Sequence, residues 1–598
     1  MYFLVVSRNV RLDLLQQISE DAGLREQWND LVARVDRPQV FYTYEWALAV
    51  QRSYGATRHP RIFLAFDEQN RLCGVAALAL DSSKNRTEFL AATTGDYCDF
   101  LSLPEHKEEF CGAVLHELKK QGVKDVTFTN LPADSNTVAA LERSASRSGY
   151  HFFARTAYVC TQVCMAGLER RPADNEPVLP RRKMVRRFIK ALAQGEPVRL
   201  EHARKWEDVR PILHEFMQSH VARFLVTGRI SNVARPERRV FLEELAKLLS
   251  EPGWLALTRM TSGGSNFAWN YGFCFRDTWF WYQPTFDSDL EKYSPGFCLL
   301  TKLIEEADGN PALKVVDMGL GAEEYKDRFA NQTRETLQIT LKSSAASHYR
   351  EIIRYRSAEI IRKSPRVETA VRAMVGQAGR VKDRAERTGK AATLLWSAKR
   401  LRDLVWLGEE VFFYEWRGPE LHESSSLHLQ AIDMNLLTLA TSQNVDDPET
   451  LAYLVRAAAR IRVPGAEGYA LVDPAGKILH FAWVADYEGF FLAELKAKVD
   501  APASDCKMLC DCWTPAAERG HGYYARAIAL IANGQREKGK RAWIFSAASN
   551  VASIRGLEKA GFERRYSLTR RRVLGRDRIA GKTPKYEPVR VEVPVRIS

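Results

Sequence analysis

Three stretches of the chain share one order of predicted elements, in which a meander of strands is followed by a β-α-β-α succession. These stretches cover residues 1–175, 176–345 and 405–575. In each, apolar residues alternate along the strands and recur every three or four positions along the helices. The stretches do not repeat each other closely in sequence. This order predicts a mixed α/β fold of three similar units, with the first two in tandem.

The segments outside these units are shorter. Residues 346–404 combine many basic side chains with helix-forming residues, which predicts a basic helical linker. An arm that binds nucleic acid is the alternative, but aromatic residues for base stacking are not interleaved there. Residues 576–598 form a tail after the third unit.

The composition is that of a globular protein, with 45% hydrophobic and 27% charged residues in a chain of 598. No apolar run reaches the length of about 18 residues that a membrane-spanning helix requires. The N-terminus lacks the pattern of a signal peptide. The ten cysteines are scattered, which is typical of proteins of the reducing cytoplasm. We therefore expect a cytoplasmic location without a membrane span.

Neither group of neighbouring cysteines predicts a metal site. Cys160 and Cys164 form one group, and Cys506, Cys510 and Cys512 form the other. Zinc sites commonly use C-x-x-C pairs or histidine pairs, and neither group has that spacing. Buried strand cysteines are the expected interpretation. The net charge of +13 favours anionic partners, namely nucleic acid, membrane surfaces or phosphate-bearing cofactors.

A strong local signal is the sequence ERGHGYYARAI at residues 518–528. It places an arginine, a histidine and two glycines directly before an apolar-periodic helix. The first turn of a helix has unpaired N–H groups and the positive end of the helix dipole, and glycine lets the backbone approach a phosphate. The sequence therefore predicts an anion site here. A tight loop that binds nothing is the alternative.

Together with the residues that follow it, this stretch resembles the GNAT superfamily of acyl-CoA-dependent N-acyltransferases. The acyl-CoA motif of that superfamily, Arg/Gln-x-x-Gly-x-Gly/Ala, is matched by Arg519 and Gly522, while Tyr524 replaces the last small residue. A second motif, Asn-x-x-Ser/Ala followed by Glu-Lys-x-Gly-Phe, is matched by Asn550, Ser553, Glu558, Lys559, Gly561 and Phe562. We therefore interpret residues 405–575 as a separate GNAT domain.

The resemblance implies how acetyl-CoA or a longer acyl-CoA binds. In GNAT folds the strand before the loop separates from its neighbour, and the pantetheine arm pairs with it. Here that strand is residues 509–513, and the pyrophosphate is implied to lie on the backbone N–H groups of residues 519–523. The cofactor-binding residues that the resemblance implies are Trp513, Arg519, Gly520, His521, Gly522, Tyr523, Asn550 and Ser553.

Transfer of the acyl group needs a base for the nucleophile, an N–H group for the oxyanion and an acid for the leaving thiolate. Asp511, on the central strand, is the candidate base, and an ordinary strand-face carboxylate is the alternative. Members of the superfamily often carry a tyrosine acid directly before the Glu-Lys pair, where this chain has Leu557. Tyr566 is the nearby candidate for that acid.

Residues 30–345 resemble the CelD-type acetyltransferases, which are named for cellulose and exopolysaccharide biosynthesis and have a FemAB-like tandem GNAT fold. The matching pieces are an aromatic helix at 40–55, a basic helix at 181–198, a Tyr-Ser-Pro-Gly run at 293–296, and Asp-x-Gly-x-Gly-x-Glu-x-Tyr-Lys at 317–326. The resemblance implies a tandem acyltransferase over residues 1–345. Its first half ends a strand with TTGDYCDFL at residues 93–101, without a glycine-rich helix start. We therefore interpret residues 1–175 as a degenerate structural half.

The second half, residues 176–345, contains another helix start suited to an anion. Ser294 is a favourable N-cap, a proline follows at the first helical position, and Gly296 leaves N–H groups exposed. Asp317 or Glu324 could orient or deprotonate a nucleophile, and Lys326 could meet a carboxylate or phosphate. The alternatives are a plain capped helix and a salt-bridged helix start.

These patterns predict acyl transfer from acetyl-CoA or a longer acyl-CoA to an amine or hydroxyl of a sugar or small metabolite. The CelD resemblance implies surface-polysaccharide or secondary-metabolite assembly. Three alternatives stay open: an aminoacyl-tRNA donor as in FemAB-like enzymes, an acyl-carrier-protein donor, and a non-catalytic protein that binds CoA or a partner. The basic helix and the net charge of +13 suit either macromolecular donor.

Overall fold

The computed structural model describes residues 2–5, 11–83, 85–172, 175–193, 195–321, 323–362, 406–420, 427–573 and 576–586. The chain divides into two compact bodies. The tandem body comprises residues 1–223 and 235–360, and the C-terminal body comprises residues 224–234 and 361–598. Most of the predicted linker, from residue 363 onward, and the end of the predicted tail lie outside the described residues.

Helices and strands alternate along the whole described chain, so the prediction of a mixed α/β fold is confirmed. Up to residue 362 the elements are β1 (Tyr2–Val5), β2 (Arg11–Leu15), α1 (Ala22–Arg34), α2 (Tyr44–Tyr54), β3 (Arg58–Phe66), β4 (Leu72–Asp81), β5 (Arg86–Phe89), β6 (Leu101–Ser102), α3 (Pro104–Lys120), β7 (Asp125–Pro132), α4 (Asn136–Arg147), β8 (His151–Cys164), α5 (Arg182–Leu192), β9 (Arg199–Ala203), α6 (Trp206–Val226), α7 (Pro236–Ser250), β10 (Leu255–Ser262), β11 (Ser265–Phe275), β12 (Thr278–Phe286), α8 (Pro295–Asp308), β13 (Val315–Asp317), α9 (Glu324–Asp327), β14 (Gln332–Lys342) and α10 (Ala345–Arg362).

The C-terminal body continues the alternation. From residue 406 the elements are β15 (Trp406–Trp416), β16 (His428–Ala431), α11 (Met434–Gln443), α12 (Pro448–Ile461), β17 (Glu467–Val472), β18 (Ile478–Asp486), β19 (Phe490–Leu492), β20 (Ala497–Val499), β21 (Cys506–Trp513), α13 (Tyr523–Glu537), β22 (Arg541–Ala547), α14 (Val551–Lys559), β23 (Phe562–Val573) and β24 (Arg576–Ala580).

One continuous sheet runs through the tandem body in the order β1-β2-β3-β4-β5-β7-β14-β8-β13-β12-β11-β10-β9, with β6 beside β4. Its first half contains β2 to β7, its second half contains β9 to β14, and β8 joins the two. The halves exchange strands at the centre of the sheet. β14 lies antiparallel between β7 and β8, while the end of β8 pairs with β13. Neither half therefore has a complete sheet without the other.

The sheet of the C-terminal body has eight strands in the order β16-β17-β18-β21-β22-β15-β23-β24. Its first strand, β15, lies between β22 and β23. The second half of the tandem body has the same arrangement, because β8 precedes it in the chain and lies between β13 and β14. The two regions therefore share one strand order despite their different sequences.

An aromatic cluster forms the seam between the two halves of the tandem body. Phe41 and Trp46, from α2 and the turn before it, have ring centroids 4.7 Å apart. Trp46 also meets Phe273 of β11 at 5.3 Å and Tyr282 of β12 at 5.6 Å, both edge-on. All but Tyr282 are among the buried apolar side chains, in which aromatic edge contacts add to the free energy of burial. The seam thus holds first-half residues directly against β12.

The cysteines behave as ordinary side chains of the fold. All ten are free thiols, and Cys160 and Cys510 are buried in β8 and β21. Within the described residues, no group of three or more histidine, cysteine or acidic side chains is arranged to hold a metal ion. Among the helices of those same residues, none is both long and apolar enough to cross a bilayer.

Candidate active site

The second half of the tandem body contains an opening between β12 and β13. The two strands form three parallel residue pairs, from Thr278 with Val315 to Phe280 with Asp317. β12 then continues to Phe286 without β13 beside it. Its pairing with β11 is interrupted at this point by a register shift, which is typical of a β-bulge. The free end of β12 therefore exposes backbone groups in the gap, which we call the β12–β13 gap.

A cavity of about 290 Å³ lies against the free end of β12, and we call it the strand-end cavity. Its walls include aromatic rings from β12, α8 and α9, namely Trp281, Phe286, Phe297 and Tyr325. Three guanidinium side chains, Arg181, Arg223 and Arg328, also line it. Apolar walls with a few charged groups are typical of small-molecule sites. This cavity suits a slender apolar arm that ends in an anionic group.

The start of α8 forms one wall of the strand-end cavity, which Ser294 and Gly296 line. Their predicted contact with a cofactor stays a prediction. Ser294 occupies the N-cap position, but it has φ 46° and its side chain makes no capping hydrogen bond. The expected side-chain cap is therefore wrong, because side-chain caps normally need an extended backbone. Within the described residues no hydrogen bond takes up the Gly296 N–H. A Cβ on Gly296 would lie 3.2 Å from Phe286, so glycine lets the helix start approach β12.

The predicted residues after β13 hold the turn that follows it. Asp317 is buried and accepts hydrogen bonds from the Tyr97 hydroxyl (2.8 Å), Gln162 Nε2 (2.7 Å) and the Gly319 N–H (2.8 Å). Burial raises the pKa of Asp317. The Lys326 Nζ donates to the Leu320 carbonyl at 3.1 Å, also away from solvent. These contacts orient the turn rather than reach into the strand-end cavity.

Glu324, the other predicted base, is placed differently. Its side chain is 85% exposed and forms an ion pair with Arg328, one turn later in the chain. Arg328 in turn lines the strand-end cavity. The structure therefore brings Ser294 and Gly296 together at the cavity and leaves Glu324 on the surface beside it.

A second cavity, of about 470 Å³, lies at the seam between the two halves, and we call it the seam cavity. It is lined by Tyr282 and Gln283 of β12, by Arg238 of α7, and by Asp96 from the first half. Burial, and then the nearby carboxylate of Asp317, raise the pKa of Asp96 to about 7. A carboxyl group that titrates near neutral pH is suited to accept a proton from a nucleophile.

Asp96 is held where β12 and β13 separate. A side chain at Gly319 would collide with the Asp96 carboxylate and would lie 3.9 Å from the Trp281 carbonyl oxygen. The neighbouring backbone is fixed as well: the Tyr282 hydroxyl donates to the Thr94 carbonyl, and Asn130 donates to the Gly95 carbonyl at 2.9 Å. The first half therefore supplies a carboxylate to the gap of the second half.

Sequence reasoning missed Asp96 and Arg238. Asp96 belongs to the TTGDYCDFL stretch, whose pattern indicates only the end of a strand without a glycine-rich helix start. The available signal was a Gly-Asp pair directly after an apolar segment, where polar site residues often lie. Arg238 sits near the start of an ordinary amphipathic helix and gave no signal.

The C-terminal body repeats the opening at β21 and β22. These strands form four parallel pairs, from Cys506 with Arg541 to Leu509 with Ile544, after which β21 runs on alone to Trp513. Of the predicted stretch 509–513, residues 510–513 are separated from β22, while Leu509 is still paired with it. Pairing with β18 shifts register near Asp511, which has φ 45°. Both gaps therefore carry a bulge at the same place.

The glycine loop before α13 turns back on itself. Gly520 and Gly522 have φ values of 88° and 82°, which explains why glycine is needed at both positions. Arg519 donates to the Thr514 carbonyl at 3.1 Å, lies 3.5 Å from Glu449 and stacks over Trp513. The His521 ring lies near the Glu518 carbonyl and stacks on Tyr523. The side chains of the loop are thus engaged with one another and with α12.

Tyr524 fills the space between α13 and α14. A Cβ on Gly556 would lie 2.6 Å from the Tyr524 ring, so the tyrosine fits only because glycine faces it. The Tyr524 hydroxyl pairs with Ser553 Oγ at 3.1 Å, and Asn550 caps α14 by accepting from the Ser553 N–H. Burial raises the pKa of Tyr524. Asn550 and Ser553 are therefore engaged locally, and their contact with a cofactor stays a prediction.

The two predicted acid–base residues of the C-terminal body lie apart. Asp511 forms an ion pair with Arg460 at 2.6 Å. Tyr566 stacks on Phe413 at 4.5 Å, on the face of the sheet opposite α13 and α14, and shares a hydrogen bond with the Tyr487 hydroxyl. Burial raises the pKa of Tyr566 to about 12. Their catalytic roles stay predictions.

Comparison with known proteins adds one family match. Residues 180–327 match the family model described as an acetyltransferase (GNAT) domain. That span contains β12, β13 and the start of α8, whereas Asp96 lies outside it. No curated protein matches the chain.

Several solved structures are similar to the chain at low identity. L-PGS from Bacillus licheniformis is 12% identical over 49% of this chain and 88% of its own, with a TM-score of 0.34. FemX is 9% identical over 55% of this chain and 96% of its own, with a TM-score of 0.37. A tandem GNAT protein from the clavulanic acid biosynthesis pathway is 13% identical over 56% of this chain and 99% of its own, with a TM-score of 0.31.

Proposed function

We propose that the chain is an acyltransferase whose active site is the β12–β13 gap of the tandem body. Acetyl-CoA or a longer acyl-CoA occupies the strand-end cavity, and an amine or hydroxyl acceptor occupies the seam cavity. The match of residues 180–327 to a GNAT acetyltransferase domain supports the reaction class. The CelD resemblance supports an acceptor from surface-polysaccharide or secondary-metabolite assembly.

The observation that carries this proposal is that the two cavities are lined by neighbouring residues of one separated strand, β12. Trp281 lines the strand-end cavity, and the next residue, Tyr282, lines the seam cavity. Asp96 lies beside Gly319, at the point where β12 and β13 part. A donor and an acceptor bound in the two cavities therefore reach the same short stretch of β12. Holding two reactants in this way supplies much of the rate enhancement of group transfer.

The residues around the strand-end cavity fit an acyl-CoA. Three guanidinium groups and the free Gly296 N–H offer hydrogen-bond donors to phosphates at a helix start. The aromatic walls fit the pantetheine arm and the acyl group. Bound there, acyl-CoA supplies the thioester that the acceptor attacks.

The reaction removes one proton from the acceptor and delivers one to the departing sulfur, and the site has a residue for each step. Asp96 accepts the proton of the acceptor amine or hydroxyl as the new bond to the acyl carbon forms. Backbone N–H groups at the free end of β12 stabilise the oxyanion. The carbon–sulfur bond breaks, and Tyr325 donates a proton to the departing sulfur. The Tyr325 hydroxyl accepts a hydrogen bond from Trp281 at 3.2 Å, and burial raises its pKa, which keeps it in the protonated form.

Release of free thiol from acyl-CoA tests this function. The full chain is incubated with acyl-CoAs of increasing chain length, with and without a mixture of small amines and amino sugars. We expect thiol release that the acceptors accelerate and that Gly296→Trp, which fills the strand-end cavity, abolishes. Equal thiol release by the wild type and by a folded Gly296→Trp variant would contradict the proposal.

A macromolecular donor is the second candidate, and helix α5 favours it. Its residues Lys183, Arg186, Arg187 and Lys190 are exposed, and Arg181 and Met184 at the same end line the strand-end cavity. An acyl carrier protein or an aminoacyl-tRNA would present its thioester or ester beside a basic surface. Binding of tRNA that weakens steeply with added salt, together with failure to use acyl-CoA, would favour this candidate.

We propose that the C-terminal body binds a partner and neither holds the acyl donor nor carries the main reaction. Tyr524 occupies the space beside its helix start, and Arg519 is engaged with Thr514 and Glu449. Transfer at the tandem body that survives Arg519→Glu tests this assignment.

A further inference from the structure

Arg238 of α7 is a buried guanidinium that faces the seam cavity without a carboxylate partner. Only 6% of the residue is exposed, and it belongs to the lining of the cavity. Within the described residues it forms no ion pair. Its Nη2 donates to the Tyr282 hydroxyl at 2.9 Å and to Gln283 Oε1 at 3.3 Å, so its hydrogen-bond partners are neutral.

Two other nitrogens of the same side chain are unused. The Nε and Nη1 atoms of Arg238 are buried and form no hydrogen bond of good geometry within the described residues. The Tyr54 hydroxyl lies near the guanidinium and helps to raise its pKa, but it is neutral and brings no negative charge. Burying a charged group is strongly unfavourable unless an opposite charge and hydrogen bonds compensate it. Cation–π contact with the rings of Phe241 and Tyr282, at 5.0 and 5.6 Å, compensates part of this cost and offers no acceptor for the free donors.

A bound ligand would supply the acceptor that the free N–H donors of Arg238 lack. Guanidinium groups bind carboxylates and phosphates through paired N–H donors, and Arg238 has unused donors at the edge of a cavity. The cavity of about 470 Å³ is large enough for an amino acid or a monosaccharide phosphate. Asp96 lines the same cavity and is the proposed base for the attacking group.

We propose that the acceptor carries an acidic group, a carboxylate or a phosphate, which Arg238 binds while the amine or hydroxyl of the same molecule faces Asp96. This inference rests on the proposed function, because it assigns the seam cavity to the acceptor. It names a substrate class: a small amine or alcohol that bears an anionic group. The charge of Arg238 acts on Asp96 through space and opposes the rise of the Asp96 pKa. No ion pair joins the two side chains within the described residues, so Asp96 does not occupy the free donors of Arg238.

Matched probe pairs test the inference. L-alanine is compared with L-alaninamide, and glucosamine 6-phosphate with glucosamine, using the full chain, acetyl-CoA and detection of the released thiol. We expect the acidic member of at least one pair to be favoured by about tenfold or more in kcat/KM, since one charge-assisted contact is worth about 1.5 to 3 kcal/mol. The pair that responds also distinguishes a carboxylate from a phosphate acceptor.

Variants at Arg238 separate binding from folding. Arg238→Gln is expected to raise KM for the preferred acidic probe by about tenfold or more, to leave kcat within about threefold and to leave the neutral probe unchanged. Arg238→Lys restores part of the preference. The control Arg143→Gln removes an exposed arginine, paired with Glu108 on α3, and leaves both probes unchanged.

Two outcomes would overturn the inference about the acidic acceptor and leave the proposed acyltransferase function intact. These are equal use of the acidic and neutral probes by the wild type, or an equal loss for both in Arg238→Gln. If the variants do not fold, calorimetry on the wild type decides: binding of the acidic probes only supports the inference, and equal binding or no binding overturns it. Failure of the proposed function looks different, because acetyl-CoA then neither binds at the strand-end cavity nor releases thiol with any probe.

Discussion

The β12–β13 gap and the β21–β22 gap have the same strand arrangement but differ at the helix start that follows each of them. In both, a strand leaves its parallel neighbour, carries a bulge and leads to a helix without a side-chain cap. In the tandem body the helix start faces a cavity. In the C-terminal body Tyr524 packs into the space beside the helix start and bonds to Ser553. The same strand order is therefore followed by a cavity at the Gly296 helix start and by a packed tyrosine beside the Gly522 helix start.

The two gaps also differ in what surrounds them. The tandem body draws Asp96 from its first half and places it where the strands part. In the C-terminal body the strand carboxylate Asp511 is paired with Arg460, and the loop arginine Arg519 contacts Glu449. A tandem arrangement thus contributes more than a second copy of the fold, because one half places a carboxyl group with a raised pKa at the gap of the other.

The largest effect expected from this comparison is that of Asp96→Asn. The amide keeps the shape of the side chain and cannot accept the proton, so kcat is expected to fall by about 10²- to 10⁴-fold, the usual contribution of a general base. Steady-state thiol release measures it, and acetyl-CoA affinity stays unchanged. Asp30→Asn, which removes an exposed carboxylate on α1, serves as the matched control. Retention of kcat in Asp96→Asn would remove the first half from the mechanism.

The pH profile gives the next effect. Because the pKa of Asp96 is raised to about 7, the base is increasingly protonated below that pH. We expect kcat/KM to fall about tenfold per pH unit on the acid side of neutrality and to level off above it. A flat profile between about pH 5.5 and 7 would speak against Asp96 as the base.

The same shift makes a prediction about stability. The folded-state pKa lies above the ordinary value of 3.8, so the folded protein holds its proton while the unfolded chain loses it. Stability contributed at this site is therefore present at low pH and is lost as the pH rises toward 7. Urea unfolding should show Asp96→Asn gaining stability relative to the wild type over that window. The contrary trend would mean that the carboxylate is stabilised in the folded state.

Charge reversal of one arginine near each gap is expected to have a smaller effect, and it tests the same comparison. Arg181→Glu, at the strand-end cavity, is expected to raise KM for acetyl-CoA by about tenfold or more, since it replaces a donor with a repelling charge. Arg519→Glu, in the C-terminal body, is expected to change KM less than about twofold. Steady-state kinetics at low and high salt measure both. The reverse order of effects would move the donor site to the C-terminal body.

The smallest expected effect is on local stability, where the Tyr524 ring packs between α13 and α14. Gly556→Ala places a methyl group against the Tyr524 ring, and overpacking of this kind costs about 1 to 3 kcal/mol. The gain in helix propensity, about 1 kcal/mol, offsets only part of it. Hydrogen exchange in peptides covering α13 and α14 measures the change. Gly534→Ala, where the new methyl group meets nothing within 4 Å, is the control and should stabilise α13.

Much of the architecture follows from local sequence signals. Alternation of apolar residues, glycine turns and amphipathic helices predicts the order of elements in both bodies, because these patterns reflect burial on one face. The positive φ values of Gly520 and Gly522 follow from the motif that placed them. A Pro-Gly helix start is a local feature, so the sequence alone draws attention to Gly296, which lines the strand-end cavity.

The assembled site depends on contacts that no local pattern encodes. Asp96 and Gly319 are distant in the chain and meet only because β14 and β8 exchange between the halves. The exposure of Glu324 follows from the orientation of the short helix α9. The packing of Tyr524 between α13 and α14 depends on Gly556 facing its ring, and the replaced motif position alone does not reveal this contact.

Calorimetric titration of acetyl-CoA into the full chain tests the central claim most directly, using the wild type, Gly296→Trp and Arg519→Glu. The account predicts one binding site in the wild type, its loss in Gly296→Trp and its retention in Arg519→Glu. Loss of binding in Arg519→Glu with full retention in Gly296→Trp would contradict the account, because it would place the donor in the C-terminal body.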